Sequence, residues 1–459
     1  MLKLLIIILY FVGMVAIGVV SRAKAKGADN FFVAGRKGTT SFITGSLVAT
    51  IVGGSATVGM AGLGFKQGLT GAWWLLVGSV GLLVLGFFLA KKVREFALYT
   101  LPELVEKLYD RRVALVASVL IVVAWLGIIA GQILAAGKIM GVLGIGRPLW
   151  WMLVFTAVFV LYTVLGGQHA NIRTDIVQAA IIFVGIFGGL GFLLSNLGGF
   201  TGLKASLSPE KFAFPLSSGF GGYELVSLLL LVGLTYVVGP DMYSRLFCAK
   251  DTKVARASAF WTALIIIPFA FGIVLMGAGA SVLFPQISPE QAFPKMVTEA
   301  FPTLLGGLVL AGLLSAVMSS ADSCLLSAGT ILTVDIIQRF KPSSNQERTV
   351  FLSRWVIVIL GVASLILALA LKGVISALLF AYTVYTGGLV LPVIAGFYRN
   401  RLRVTSWGAL VAIIGGGLAA LISKVLGIKY LDLGSLPISV ALLFITSFIE
   451  TAGWKKKRG

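Results

Sequence analysis

Runs of about twenty apolar residues follow one another through the 459-residue chain, separated by short polar breaks. About 20 apolar residues in a helix cross a bilayer core, and windows of that length predict thirteen spans. They lie near 2–20, 42–64, 71–92, 113–138, 148–166, 174–196, 222–240, 259–284, 304–337, 352–371, 374–398, 405–423 and 436–451. The loops between them are too small for a soluble domain, apart from modest stretches at 21–41, 93–112 and 197–221. The pattern predicts an all-α polytopic membrane protein. Met1–Val20 has the outline of a secretory leader, but Arg22, Lys24 and Lys26 follow at once, so it reads as a retained first span.

Composition agrees. The chain is 58% hydrophobic and 12% charged, with mean hydropathy +1.02. Soluble domains carry roughly 25% charged residues. Lipid must therefore solvate most of the surface, and a multi-pass protein of the cell membrane is expected. The net charge of +20 does not mark a nucleic-acid partner, because the basic residues sit in short loops and at Lys455–Arg458. Of the 37 Lys and Arg, 27 fall in one alternate set of loops and 10 in the other. Basic loops stay inside, which predicts an external N-terminus and a cytoplasmic C-terminus.

The two cysteines and single histidine give no disulfide framework and little for a His-based metal site or triad. No nucleophile–base pair or phosphate-binding loop stands out, so an enzyme is not expected.

Two spans are interrupted. The second contains Gly53-Gly54-Ser55-Ala-Thr57, and the seventh contains Tyr236-Val-Val-Gly239-Pro240-Asp241. Either interruption alone is also explained by close helix packing. Together they would open two five-span units, 42–196 and 222–398, joined by an external loop at 197–221. Residues 1–41 would form an extra span and cytoplasmic loop, and 399–459 two further spans and a basic tail. Matching breaks in two halves point to a transporter's binding site, and an odd repeat length inserts the halves with opposite topology.

Ser315, Ser319, Ser323 and Ser327 recur every four residues in the ninth span, one stripe of a helix, with Ala316, Ser320 and Asp322 beside them. Serines also bond backbone carbonyls and ease helix packing, but an acid mid-membrane usually marks an ion or substrate path. Carbonyls of the broken second span facing Ser319 and Ser320 would supply oxygen ligands for a small hard cation. Asp175 reads either as a helix-start acid or as a control on ion passage. Gln132 reads either as a solute contact or as a bridge between helices, and Asp335 as a boundary charge.

At this point the chain resembles the sodium:solute symporter family. The segments that carry the likeness are Phe31–Arg36, Ser46–Ala49 through Gly59–Gly62, Thr174–Gln178, Arg245–Asp251 and Met318–Ser323. The resemblance implies a LeuT-like 5+5 inverted repeat with an extra helix before it and two after. It implies Na+ held by carbonyls of Ala49, Val52 and Ala316 with hydroxyls of Ser319 and Ser320. It further implies a second ion, or a proton, near Asp175, Asp322 and Ser323, and a solute pocket between the broken spans. Gly53, Gly54, Ser55, Thr57, Gln132, Tyr236, Gly239 and Pro240 are the candidate solute contacts. The segment Phe65–Leu69 and the Asp322–Ser323 pair look closer to pantothenate-type and organic-acid carriers than to sugar or proline carriers. The expectation is a sodium-coupled importer of a small organic acid or amino-acid-like solute. Proton coupling through Asp322 or Asp175 is the alternative, and a membrane sensor or interaction module a remote one. Oligomeric state is left open.

Overall fold

The computed structural model describes residues 2–141, 144, 146–342, 345–371, 373–427 and 431–456. Lys372, Lys429, Lys457 and Arg458, all used in the charge count, lie outside the described residues. Eleven helices among the described residues are long and apolar enough to cross a membrane. The difference from thirteen windows has two local causes.

The first is a junction. Residues Pro148–Asn196, 49 in all, form two helices that abut at a kink with no loop between them. The kink lies at Gly167, with φ 51° and ψ −140°, a conformation that only glycine adopts readily. A side chain there would also meet the carbonyl and ring of Phe31. The fifth and sixth windows are thus two helices that meet directly at Gly167.

The second cause is a split. The second window becomes helix Thr40–Ile51, a gap at Val52 and Gly53, and a wide turn at Ser55–Gly59 leading into Met60–Gln67. A tight turn at Gly68 (φ +71°) then joins this half to the third window.

We number the elements that build the site. They are α1 (Leu2–Arg22), α2 (Thr40–Ile51), α3 (Met60–Gln67), α4 (Leu101–Leu108), α5 (Arg111–Gly141) and α6 (Pro148–Asn196). Then follow α7 (Leu234–Val237), α8 (Pro240–Cys248), α9 (Thr252–Leu283), α10 (Thr303–Ile331) and α11 (Val374–Tyr385). The α10 run through Phe340 buries 83% of its most apolar stretch, against 28% for Leu433–Ala452 and 33% for α1. It is the hub of the fold. Helices α6, α5 and α1 pack round it, and the C-terminal helices face lipid.

The seventh window also breaks. Helix α7 stops at Val237, Val238 and Gly239 are extended, and Pro240 opens α8 at a position where its missing N–H costs nothing. Two tyrosines cover the carbonyls that the break frees. Tyr243 donates to Val237 at 3.1 Å and Tyr385, on α11, to Val238 at 2.7 Å.

The short amphipathic α4 lies outside the crossing helices. Thr100 accepts from the Glu103 N–H at 3.1 Å, while the Glu103 carboxylate accepts from Tyr99 and Thr100 N–H at 2.7 and 3.3 Å, a complete capping box. Burial pushes the Glu103 carboxyl above its ordinary value.

Candidate ion and solute site

A helix that stops leaves its last carbonyls without intrahelical partners. Where α2 ends at Ile51, serines of α10 fill that role. Ser319 Oγ donates to the Ala49 carbonyl at 2.7 Å and lies 3.1 Å from that of Ala316, and Ser320 Oγ donates to the Thr50 carbonyl at 2.5 Å. Val52 caps α2 and is fully buried. The donor set at the break is therefore carbonyl and hydroxyl oxygen, the hard ligand type that suits an alkali cation. Among the described residues no group of three or more His, Cys, Asp or Glu side chains converges as a metal site.

One turn along α10, a second polar cluster is closed to solvent. Asp322 accepts from the Tyr162 hydroxyl and, at 3.1 Å, from Ser323. Ser46 donates to Asp175, and the hydroxyls of Thr50 and Ser323 lie 3.0 Å apart. Arg245 reaches in from α8, with Nη2 on Ser323 and 3.3 Å from Asp175 Oδ2. Helix α1 joins through Tyr10, whose hydroxyl accepts from Gln178 at 2.9 Å.

Beside the break lies a cleft that is nearly closed in this structure, with free space of about 30 Å³. Both broken helices line it: Thr50, Gly53 and Ser55 from the first, Thr235, Tyr236 and Asp241 from the second. Gln132 and Trp125 on α5, Ser320 and Cys324 on α10, and Tyr382 on α11 complete its polar and aromatic wall. Gln132 also ties the break together, its Oε1 accepting from Gly54 N–H at 2.8 Å. No Lys or Arg is among the lining residues, and one carboxylate is.

The chain can now be placed among known proteins. Residues 31–416 match the sodium:solute symporter family. This chain belongs to that family. The sodium/glucose cotransporter of Vibrio parahaemolyticus is 26% identical over 486 residues, covering 97% of this chain and 88% of that protein. Sodium/myo-inositol cotransporter 2 of Homo sapiens is 25% identical over 473 residues, covering 93% and 70%. A solved structure of a Na+-coupled sialic acid symporter, substrate-bound and outward-open, superposes with TM-score 0.83 at 19% identity over 98% of both chains. The fold is LeuT-like, and this family member is a multi-pass membrane transporter rather than an enzyme.

Within this symporter fold the sequence-derived residues fall into groups. Ala49, Ala316, Ser319 and Ser320 meet at the first break, with Val52 beside them and Thr50 added. Asp175, Asp322 and Ser323 share the buried cluster. Gly53, Ser55, Gln132 and Tyr236 line the cleft. Thr57 instead folds back on the Gly53 carbonyl at 2.9 Å, Gly54 gives its N–H to Gln132, and Gly239 lies in the extended link before α8. Pro240 lines a separate small gap of about 10 Å³ with Gln168, Ser244 and Ser327.

Sequence reasoning passed over Thr50, Asp241, Tyr382 and Arg245. Asp241 had a readable signal, an acid directly after a Gly-Pro break. Arg245 was counted as a loop charge, but it is fully buried on α8.

Proposed function

We propose that this protein is a sodium-coupled symporter that carries a small organic solute by alternating access. One observation carries the reading: Thr50 and Ser320 belong both to the carbonyl–hydroxyl nest at the break of α2 and to the wall of the solute cleft. A sodium ion held by Ala49, Val52 and Ala316 carbonyls with Ser319 and Ser320 would stiffen one side of the cleft. Family membership and the sodium-coupled relatives support that ion. Each ligand then raises the other's affinity by the same factor.

The architecture proposed with it has thirteen crossings, N-terminus outside and C-terminus inside. Residues 42–196 and 222–398 form the inverted units, 1–41 and 399–459 the added helices, and 197–221 the outer loop. The two helix breaks and the bend at Gly167 support these boundaries.

The cleft's chemistry bears on the solute. An anion would face the partly buried carboxylate of Asp241, and no Lys or Arg lines the cleft. Hydroxylated solutes, or an amino-acid-like solute with its ammonium toward Asp241, suit this wall better than a simple organic acid. Thermal-shift screening of purified protein against sugars, polyols, amino acids and organic acids, with and without sodium, identifies the solute. Its uptake into proteoliposomes is then expected to need an inward sodium gradient. Equal uptake without the gradient would reject the proposal.

A second reading has its own observation. Asp322 has no ion-pair partner among the described residues and is bonded by Tyr162 and Ser323 hydroxyls, a setting that also suits a proton carrier. Uptake driven by a pH gradient in sodium-free buffer, and lost in Asp322→Asn, would favour it.

A further inference from the structure

Helix α9 carries one outward stripe whose chemistry changes along its length. Lys253 and Arg256 come first, then Phe260 and Trp261, then Leu264 and Ile265, at the three- and four-residue spacing of a single helix face. All six are exposed, Trp261 by 51%. In a membrane protein such a face meets lipid, and this one is not flat.

The wide turn at Leu85–Leu89 runs beside it. Gly86 puts no side chain there, and a Cβ built on it meets nothing closer than Ala259 Cβ at 3.4 Å. The stripe and this turn enclose an apolar groove with about 320 Å³ of free space, walled by Leu83, Phe87, Phe260 and Trp261. Lys253 and Arg256 line its end nearest the start of α9. A second groove of about 470 Å³ shares Trp261 and continues to Ile265 and Phe269, with Thr44, Gly45 and Val48 of α2 opposite.

Neither cation has a hydrogen bond or ion pair among the described residues. The nearest acid in sequence, Asp251, is occupied as the N-cap of α9, accepting from the Val254 N–H at 2.8 Å. Two uncommitted positive charges thus stand at the water end of a hydrocarbon-lined trough. From Lys253 to Phe269 the helix rises about 24 Å, close to the roughly 20–22 Å of one leaflet with its headgroups.

We propose that the two grooves form a binding site for one anionic glycerophospholipid, its phosphate between Lys253 and Arg256 and its chains in the grooves that meet at Trp261. The phosphate supplies the charge that the cations lack, and a guanidinium can take two of its oxygens at once. Basic pockets between membrane helices bind such headgroups. A free anion leaves the apolar walls uncovered, and a zwitterionic lipid brings its own cation. Under the topology proposed above, the lipid belongs to the cytoplasmic leaflet. The chain in the second groove lies beside Val48, next to Ala49, whose carbonyl meets Ser319. The lipid therefore braces the first half of the broken span.

The test is native mass spectrometry of the purified full-length chain in detergent, titrated with dioleoyl phosphatidylglycerol, dioleoyl phosphatidylcholine or glycerol phosphate. Wild type is expected to hold one phosphatidylglycerol per chain, to bind phosphatidylcholine at least about tenfold more weakly, and to show no binding of glycerol phosphate. Lys253→Gln/Arg256→Gln is expected to weaken phosphatidylglycerol about thirtyfold, about fivefold per cation, and to leave phosphatidylcholine unchanged. Gly86→Leu, which fills the first groove, is expected to weaken both lipids. Lys24→Gln/Lys26→Gln removes the same charge from another exposed loop and is expected to bind as wild type does. Equal affinity for the two lipids, or equal losses in the two double variants, would overturn the proposal in favour of general surface charge. Tight binding of glycerol phosphate would reduce the site to a phosphate contact, and a chain that dimerises and holds no lipid would make the grooves a contact between copies. Either result also overturns it. Should Gly86→Leu fail to fold, the exposed charge pair and the two lipids decide.

Discussion

The hydroxyl of Ser319 donates to the carbonyl oxygen of Ala49 at 2.7 Å, across 270 positions of sequence. This bond closes the end of α2 against the hub helix α10, and Ser320 repeats it on Thr50 one residue later. In the proposed sodium-bound state the same oxygens would turn their lone pairs toward the cation. Hydrogen bonds to charged groups contribute about 1.5–3 kcal/mol, so losing one such ligand weakens sodium binding about tenfold to hundredfold. Ser319→Ala and Ser320→Ala are each expected to raise the sodium concentration for half-maximal 22Na+ binding by that factor and, by freeing a buried carbonyl, to lower the sodium-free melting temperature modestly. Unchanged half-saturation in both would remove these hydroxyls from the site.

Gly53 offers an independent probe of the same contact. A Cβ built there would clash with the Ser320 hydroxyl, 2.9 Å from Ser320 Cβ and 3.4 Å from Gln132 Oε1. Its φ is not positive, so the backbone tolerates alanine and the methyl alone is at issue. Overpacking of this kind costs about 1–3 kcal/mol. Gly53→Ala is expected to weaken sodium binding about tenfold or more by pushing Ser320 off the Thr50 carbonyl. Gly13→Ala, where nothing lies within 4 Å, serves as the control and is expected to bind as wild type does. Equal binding by the two variants would show that Gly53 packs loosely and that the nest is not where the geometry puts it.

Much of this was readable in the chain, and the reasons for the remainder are physical. Apolar runs, the Gly-Gly and Gly-Pro interruptions and the four-residue serine spacing follow from local chemistry, so they could be read directly. The loop-free junction at Gly167 depends on one left-handed backbone angle, held where Phe31 packs, and no window average detects that. Arg245 was misassigned for a related reason. It stands between a helix break and the polar Lys250–Asp251 turn, so its neighbours read as loop. Only the nine residues of α8, starting at Pro240, carry it back into the interior. The cleft residues Trp125 and Tyr382 lie on helices apolar nearly all round, where sequence alone does not say which face turns inward.

Tyr385 holds the second break as the serines hold the first. Its hydroxyl donates to the Val238 carbonyl at 2.7 Å, and its ring meets Trp125 edge-on at 4.8 Å. Phenylalanine keeps the ring contact and removes only the donor. A buried carbonyl left without a partner costs about 1–3 kcal/mol. Tyr385→Phe is expected to lower the apparent melting temperature and to reduce solute uptake more than sodium binding, because Val238 lies beside the cleft rather than at the nest. A variant that melts and transports like wild type would show that the break needs no such partner.

Glu103 gives a pH-dependent test away from the membrane core. Burial raises its carboxyl above the ordinary carboxylate value near 4.3, and the N–H groups of Tyr99 and Thr100 only partly offset that. The folded chain therefore holds this proton at pH values where the unfolded chain has released it. Stability linked to Glu103 is then present at low pH and declines as pH rises from the ordinary carboxylate value through the folded one. Glutamine keeps the capping box and does not titrate. Glu103→Gln is expected to match wild type near pH 4 and to melt higher by pH 7. Glu103→Ala leaves the two N–H groups without their acceptor and is expected to lose about 0.5–2 kcal/mol throughout the range. Melting curves of the three proteins between pH 4 and 7 decide the matter, and a wild-type curve parallel to that of Glu103→Gln would mean that burying this carboxylate costs the fold nothing.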